Sequence, residues 1–461
     1  LIFLKALYFL IIPILIGYFF IKAIIKKWQI HLKKTLLIFL SIGIGHGIVS
    51  IIFFLGLLIF NSCFAVIPIE LSFLIFLIIY NKKYNLTVLT KKSKINNKEK
   101  FSYVILIIVS ALILVSMINY FSNFLVAPHG QWDAWNVWNL RPRFIVRTGE
   151  LHTSLSRDLA DIHCTDYPML IPSIIGRGWT IIGYEATWVS FCVSFMFFYS
   201  LVGVVIFSIK RFRGFNQGLL CGAALLISPE IIIHSANQYA DLPLGYFITC
   251  AFSFLLLYDS EGCREFLFLS AFCAGLAAWT KNEGIVFAAL FFFCRTGFIF
   301  FKDKKRIITE IKSLLLALLP FTIFILWFKI FSRNPNMFLK LLDWNVILER
   351  VSNVNRYILI IYEMVKEIIR ILPSYNFPVL LLLYLILNGS DRIAEKIRPA
   401  YFSLLITLLL MLTVYFLSFL IIFQHLRMQI RIAFIRMLFQ IWPSFLILFF
   451  LYLKKPFSKK I

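Results

Sequence analysis

Charge is scarce in this sequence, and negative charge is scarcest. Only 22 Asp and Glu stand among 461 residues, against 46 Lys and Arg, and charged types together make up 15%. A soluble domain carries about a quarter of its residues as charges, so a fully water-facing surface is excluded. Familiar nucleotide and hydrolase signatures are missing too: there is no P-loop, dinucleotide fingerprint or nucleophile elbow. No internal repeat is evident, which argues against a transporter built from inverted repeats. Cysteine contributes little. Of the eight, Cys164 is the only one in the long polar loop described below, so that loop holds no internal disulfide, and no pair has zinc-ligand spacing. The first apolar run has no small-residue cleavage site, so no cleavable secretory signal is expected.

What is abundant is apolar surface, 61% of residues. A helix crosses hydrocarbon with about 20 apolar residues, and thirteen such runs are predicted: roughly 1–24, 36–60, 64–81, 102–124, 187–209, 216–233, 240–258, 265–280, 284–301, 311–331, 375–388, 401–423 and 438–453. The expected fold class is therefore an all-α polytopic membrane protein with about 13 transmembrane helices.

The net charge of +24 would suggest nucleic acid in a soluble protein, but here its distribution argues against that partner. Basic residues cluster in KKWQIHLKK (26–34), NKKYNLTVLTKKSKINNKEK (81–100), KRFR (210–213), KDKKR (302–306) and KKPFSKK (454–460). With these clusters on the cytoplasmic side, the spans alternate without conflict, the amino terminus lies outside and the carboxyl terminus inside. Richness in Phe, Ile, Lys and Asn suggests an AT-rich bacterial genome, and with it the cytoplasmic (inner) membrane. Three parts are expected: 1–101, with three helices and a basic loop; 102–453, the main membrane module; and 454–461, a basic tail.

This topology leaves one large outer loop, 125–186, between helices 4 and 5. It is rich in Trp, Tyr, Leu and Ile, so it should fold on the membrane surface rather than stay disordered. In NRYILIIYEMVKEIIRILP, Glu363, Lys366, Glu367 and Arg370 recur at three- and four-residue steps. That spacing predicts an interfacial helix near 357–372, ended by Pro373, with a displaced membrane span as the alternative.

The polar residues converge on the outer side. HGQWDAWNVWNLRPRF (129–144) sets Asp133 among Trp132, Trp135 and Trp138, whose spacing of three predicts one helical turn with its indoles aligned at the headgroup level and Asp133 and Asn136 sharing a neighbouring face. A carboxylate beside a bilayer is costly unless hydrated or paired. An aromatic belt with a capping Asp is the bland alternative. Arg141 and Arg143 follow, with guanidinium forks suited to phosphate oxygens or lipid headgroups. CTDYPMLIP places Asp166 beside Tyr167, and NQYADLPLGYF puts Asp241 near Tyr239 at the mouth of a span. WTKNEGI brings Lys281 and Glu283 to an outer turn, where they could simply neutralise each other. HLRMQIRIAFIRM presents His425, Arg427, Arg431 and Arg436 outside, against the topology trend, which suggests something anionic there. A chemistry of outward-facing acids and cations beside an apolar bundle suits transfer from a lipid-borne phosphate donor: a carboxylate takes the acceptor proton and cations hold the leaving phosphate.

GQWDAWNVWNLRPRF, DYPMLIP, YADLPLGYF, GLAAWTKNEG and HLRMQIRIAFIRMLFQIWP, in that order and on one side, resemble the GT-C superfamily of integral-membrane glycosyltransferases. More narrowly they are similar to bacterial relatives of the protein O-mannosyltransferases and the lipid A aminoarabinose transferase. The resemblance runs over about 102–453. It implies an inverting transferase that uses a polyprenyl-phosphate sugar, with Asp133 as general base and Asp166 and Asp241 as supporting acids. It further implies Arg141, Arg143, Lys281, Arg427 and Arg431 at the donor phosphate, and Trp132, Trp135, Asn136, Tyr167, Tyr239, Glu283 and His425 near the substrates. Expected partners are the lipid-linked donor, a glycan, lipid or protein acceptor, and membrane lipids. No cofactor is required; a divalent cation on Asp133 with Asp166 or Asp241 stays open. The chain departs from the family in its three additional leading helices, and in Ala134 where the mannosyltransferases have a second adjacent acid. Two other readings remain: a surface-polysaccharide polymerase or ligase using oligosaccharide-lipid donors, and a lipid-linked-sugar transporter or flippase.

Overall fold

The structure is a computed structural model describing residues 1–25, 34–83, 102–155, 164–332, 343–372, 377–422 and 425–454. Helices account for nearly all regular structure among these residues, as a chain buried in hydrocarbon requires, because only internal hydrogen bonds can satisfy its backbone there. In order they are α1 (Ile2–Ile25), α2 (Lys34–Phe60), α3 (Val66–Lys83), α4 (Tyr103–Val126), α5 (Leu140–Thr148) and α6 (Leu170–Ile182). Next come α7 (Thr187–Arg213), α8 (Phe215–Leu226), α9 (Pro229–Ala236), α10 (Asp241–Glu261), α11 (Arg264–Thr280) and α12 (Asn282–Lys302). The last are α13 (Lys304–Ser332), α14 (Trp344–Ser352), α15 (Val354–Ile371), α16 (Phe377–Asn388), α17 (Arg398–Ile421) and α18 (Leu426–Tyr452). Ten helices among the described residues are long and apolar enough to cross a membrane, or eleven with α8 and α9 taken as one span. This is an all-α polytopic membrane protein.

Each of the thirteen predicted runs carries a helix where it is described, but three fall short of a straight span. The run 216–233 breaks into α8 and α9, bent by 66°, because Ser228 caps the second piece and Pro229 opens it. Run 265–280 is the 17-residue α11 and run 375–388 the 12-residue α16. Two further corrections bear on the site. Leu170–Ile182, expected in a surface loop, is a helix with all thirteen residues buried. And α18 begins at Leu426, twelve residues before the predicted 438, so HLRMQIRIAFIRM forms its first half rather than an outer connection.

The chain alternates between two ends. The loop end carries the α4–α7 connection; the basic end carries Lys210, Arg211 and Lys302, while most of 26–34, 81–100 and 454–460 lies outside the described residues. Helices α1 to α3 share their core with the rest. They are also pinned at the loop end by a buried ion pair: Arg177 of α6 meets Glu70 of α3 at 2.5 and 2.9 Å and donates to the Phe9 carbonyl at 3.2 Å. At the basic end Arg295 binds Asp259 at 2.7 and 3.0 Å and Glu310 at 2.8 Å, tying α12 to α10 and α13. Buried charges of this kind are tolerable only when so fully paired.

The amphipathic segment predicted at 357–372 is α15, and its orientation is specific. Glu363 and Glu367 are buried, Glu363 lies 3.3 Å from Arg427, and Ile358, Ile361, Tyr362, Val365 and Ile369 are exposed. The two glutamates thus meet the protein together with Ile360, while Lys366 and Arg370 of the same predicted face stay exposed, and much of the apolar surface points away from the protein. Pro373 lies outside the described residues. Arg350 and Arg356 donate to the last carbonyls of α17, including Ile421 at 2.6 Å and Leu420 at 2.8 Å, satisfying groups that end a helix unpaired. This fixes α14 and α15 over the loop end of α17.

Candidate functional site

Asp133 owes its place to the turn that follows α4. Gly130 takes a left-handed φ of +74° there, and a side chain at that position would meet the Asn237 carbonyl at 2.6 Å. Asp133 then begins a π turn, Ala134–Trp138, closed by the Asn139 amide on the Ala134 carbonyl at 2.6 Å. The wider turn separates the three tryptophans that a spacing of three was expected to align. Trp132 and Trp135 are exposed and touch each other, whereas Trp138 is buried and stacks on Tyr167 at 5.5 Å.

The start of α10, the joint between α11 and α12 and the body of α18 bring charges to Asp133. Arg436, a third of the way along α18, reaches Asp133 Oδ2 at 2.5 Å and Asp241 Oδ2 at 2.9 Å through Nη2, and Asp241 again at 3.2 Å through Nε. Its guanidinium lies over the Tyr239 ring at 4.3 Å. Asp241, the first residue of α10, also accepts from Lys281 Nζ at 2.9 Å and Gln440 Nε2 at 2.6 Å. Lys281 is the single extended residue between α11 and α12, and it meets Glu283 Oε1 at 2.9 Å as well. The joint is tight because of Gly284, where a Cβ would lie 1.9 Å from the Ala277 carbonyl. Tyr415 of α17 completes the network by donating to Gln440 Oε1 at 2.8 Å.

Most of these groups line a cavity of about 380 Å³ between α12, α17 and α18. Its lining combines the charged Asp133, Asp241, Lys281, Glu283 and Arg436 and the polar Tyr167, Asn282, Tyr415, Ser418 and Gln429 with apolar Val286, Val414, Phe419, Ile422, Ile432 and Met437. The second oxygen of Glu283 is buried and meets no donor among the described residues. A separate apolar cavity of about 380 Å³ lies between α11, α12 and α13 and carries no charged residue.

Asp166 belongs to an adjoining cluster. It accepts from Asn282 Nδ2 at 2.7 Å, and Lys329 Nζ stands 3.7 Å from its carboxylate while donating to its carbonyl and to Asn282 Oδ1. It does not line the cavity, whereas its neighbour Tyr167 does. Among the described residues no group of three or more His, Cys, Asp or Glu stands close enough to hold a metal ion.

The five cations predicted at a donor phosphate go to different places. Only Lys281 lines the cavity. Arg141 is fully buried and spends its guanidinium on the Tyr167 carbonyl at 2.6 Å, the Pro168 carbonyl at 3.4 Å and the Met169 sulfur at 3.1 Å. Arg143 meets Glu185 at 3.4 Å and His129 at 3.3 Å. Arg427 pairs with Glu363, and Arg431 is exposed. Of the predicted substrate contacts, Tyr167 and Glu283 line the cavity and Tyr239 backs Arg436. Asn136 is buried within the π turn, and His425 is exposed at the start of α18. Arg436 was placed with His425, Arg427 and Arg431 opposite something anionic but given no role in the site, and Gln440 was not singled out. Their signal was in the sequence: Gln429, Arg436 and Gln440, with the small Ala433 between, follow at steps of three and four along one helix face, visible only once α18 is begun at Leu426.

The electrostatics follow from burial and pairing. Burial alone would depress the Lys281 ammonium, but Asp241 and Glu283 outweigh it and hold it above its usual value. Burial, with the Asp133 charge added, pushes the Tyr239 phenol up to about 12, and burial brings Arg141 down to about 10. At neutral pH the cavity therefore offers charged Lys281, while Tyr239, behind Arg436, is neutral. The cavity combines a half-buried carboxylate, two cations and apolar side chains: a proton acceptor and anion ligands beside room for a hydrocarbon chain. No protein-family model matches this chain, and no curated protein or solved structure does.

Proposed function

We propose that the protein is an inverting glycosyltransferase that moves a sugar from a polyprenyl-phosphate donor to an acceptor hydroxyl. The observation that carries this reading is the composition of one cavity, whose lining joins Asp133, Lys281 and Arg436 to hydrocarbon side chains. A water-soluble donor would have no use for the apolar lining, and a plain hydrocarbon ligand none for the charges.

In the reaction the acceptor oxygen attacks the anomeric carbon from the face opposite the phosphate. The new C–O bond forms as the bond between the anomeric carbon and the phosphate oxygen breaks, and the lipid phosphate leaves with the electron pair. Asp133 takes the acceptor proton. Lys281 and Arg436 stabilise the charge gathering on the phosphate. Asp241, saturated by its four donors, holds both cations in place rather than reacting. The unpartnered oxygen of Glu283 accepts a sugar or acceptor hydroxyl. The isoprenoid chain lies along Val414, Ile432 and Met437. Asp166 and Arg141 position the 164–169 turn, and with it Tyr167. The loop end faces the outside of a bacterial cytoplasmic membrane, and the α8–α9 pair, α11 and α16 complete thirteen passes.

The test is sugar transfer by purified protein in vesicles supplied with radiolabelled polyprenyl-phosphate hexoses or pentoses. Label moving to an added acceptor supports the reading. Label crossing the bilayer still attached to its lipid, with no glycosidic bond formed, would replace it with the flippase reading.

A further inference from the structure

Three carboxylates line the cavity against two cations, and each cation is already engaged. Lys281 lies between Asp241 and Glu283, and Arg436 between Asp133 and Asp241. An incoming phosphate therefore gains a cation only by taking it from a carboxylate. The candidates are unequal. Asp241 is buried at the first turn of α10 and holds four hydrogen bonds from Lys281, Arg436 and Gln440; removing any of them leaves a buried charge short of partners. Asp133 keeps 27% of its side chain exposed, on the cavity wall, and among the described residues its ion pair is to Arg436 alone. Arg436 stays oriented without Asp133, because Nε remains on Asp241 and the guanidinium rests on Tyr239.

We propose that Arg436 is the phosphate ligand of this cavity and that the phosphate competes with Asp133 for it, so that donor binding releases the Asp133 carboxylate. The inference rests on the lipid-phosphate reading above and deepens it. At rest Asp133 is neutralised by Arg436. When a phosphate oxygen takes Nη2, Asp133 turns to the acceptor hydroxyl, and the base is exposed only when a donor is present.

The experiment measures binding of geranylgeranyl monophosphate to the full chain in detergent by calorimetry. The proteins are wild type, Asp133→Asn, Arg436→Gln and the double variant. Removing the competing carboxylate is expected to tighten binding roughly fivefold or more, the scale of ordinary coupling between ligands. Arg436→Gln weakens it at least tenfold, and the double variant behaves like Arg436→Gln. Inorganic phosphate follows the same order more weakly, lacking the chain; equal affinity for the two probes would overturn a lipid source. Asp133→Asn binding no tighter than wild type, while wild type binds well, overturns the exchange and leaves the transferase reading standing. Failure of wild type to bind geranylgeranyl monophosphate at all overturns the donor class itself. Asp133→Ser, folded as judged by its melting curve, serves as the second variant. In turnover the same exchange lowers the donor KM of Asp133→Asn while kcat falls, a split that a merely structural Asp133 would not produce.

Discussion

Arg436 and Asp133 are 303 residues apart in sequence, and Arg436 Nη2 stands 2.5 Å from Asp133 Oδ2. The same guanidinium is fixed to Asp241, so one arginine joins the turn after α4, the start of α10 and the body of α18. The two aspartates differ in burial, 27% of the side chain exposed for Asp133 against 4% for Asp241, and in the proposed mechanism that difference separates their roles.

It also separates the cost of losing them. Asp241→Ala leaves Lys281 and Arg436 buried with too few carboxylates and should destabilise the fold by about 3–5 kcal/mol. Asp133→Ala removes a partly exposed pair and should cost about 1 kcal/mol or less. Thermal melting in detergent checks the order; equal losses would contradict it.

The joint at Gly284 admits a paired test. Gly284→Ala drives a Cβ against the Ala277 carbonyl at 1.9 Å, which should cost about 1–3 kcal/mol and displace Lys281. Gly297, on the same helix, has nothing within 4 Å of its would-be Cβ, so Gly297→Ala should be neutral or gain up to about 1 kcal/mol. The two melting curves should move in opposite directions or, at the least, only the first should fall.

Arg141 tests the division between positioning and binding. Its guanidinium bonds are to the carbonyls and sulfur of 167–169, so Arg141→Lys should lower stability by about 1–3 kcal/mol by stranding buried acceptors. The affinity for geranylgeranyl monophosphate should stay within about twofold of wild type if the turn survives. A large loss of affinity at unchanged stability would return Arg141 to the phosphate.

The sequence made the class legible because apolar length alone identifies helices that cross a membrane, and α1, α2, α4 and α10 begin or end within a few residues of their predicted bounds. It failed where polar spacing competes with apolar length. The arginines of HLRMQIRIAFIRM made a helix look like a connection, and with the helical phase lost, Arg436 could not be matched to Gln440. Asp133, Asp241, Lys281 and Glu283 were found because charge is rare enough here to stand out. Arg141 stood out for the same reason, and nothing in the sequence shows that backbone carbonyls 26 and 27 residues away would claim it.

Cys164 reports on the packing of the 164–169 turn. Burial, aided by the Asp166 and Asp133 charges, pushes its thiol up to about 11. Because the thiolate is the reactive form, a variant retaining Cys164 alone should react with maleimide on the order of a hundredfold more slowly at pH 8 than an unperturbed cysteine. The rate should climb about tenfold per pH unit until about pH 10. A rate that levels off near pH 9 would mean the turn is open to water.

In the proposed mechanism Asp133 takes the acceptor proton during transfer from a lipid phosphate, and replacing it alone tests that step. Sugar transfer from the polyprenyl-phosphate donor that wild type accepts is measured for wild type and Asp133→Asn in the same vesicles, with matched melting temperatures. The expected result is a fall in kcat of roughly a hundredfold or more, the usual contribution of a general base. Equal kcat in the two proteins would contradict the account and remove Asp133 from the chemistry.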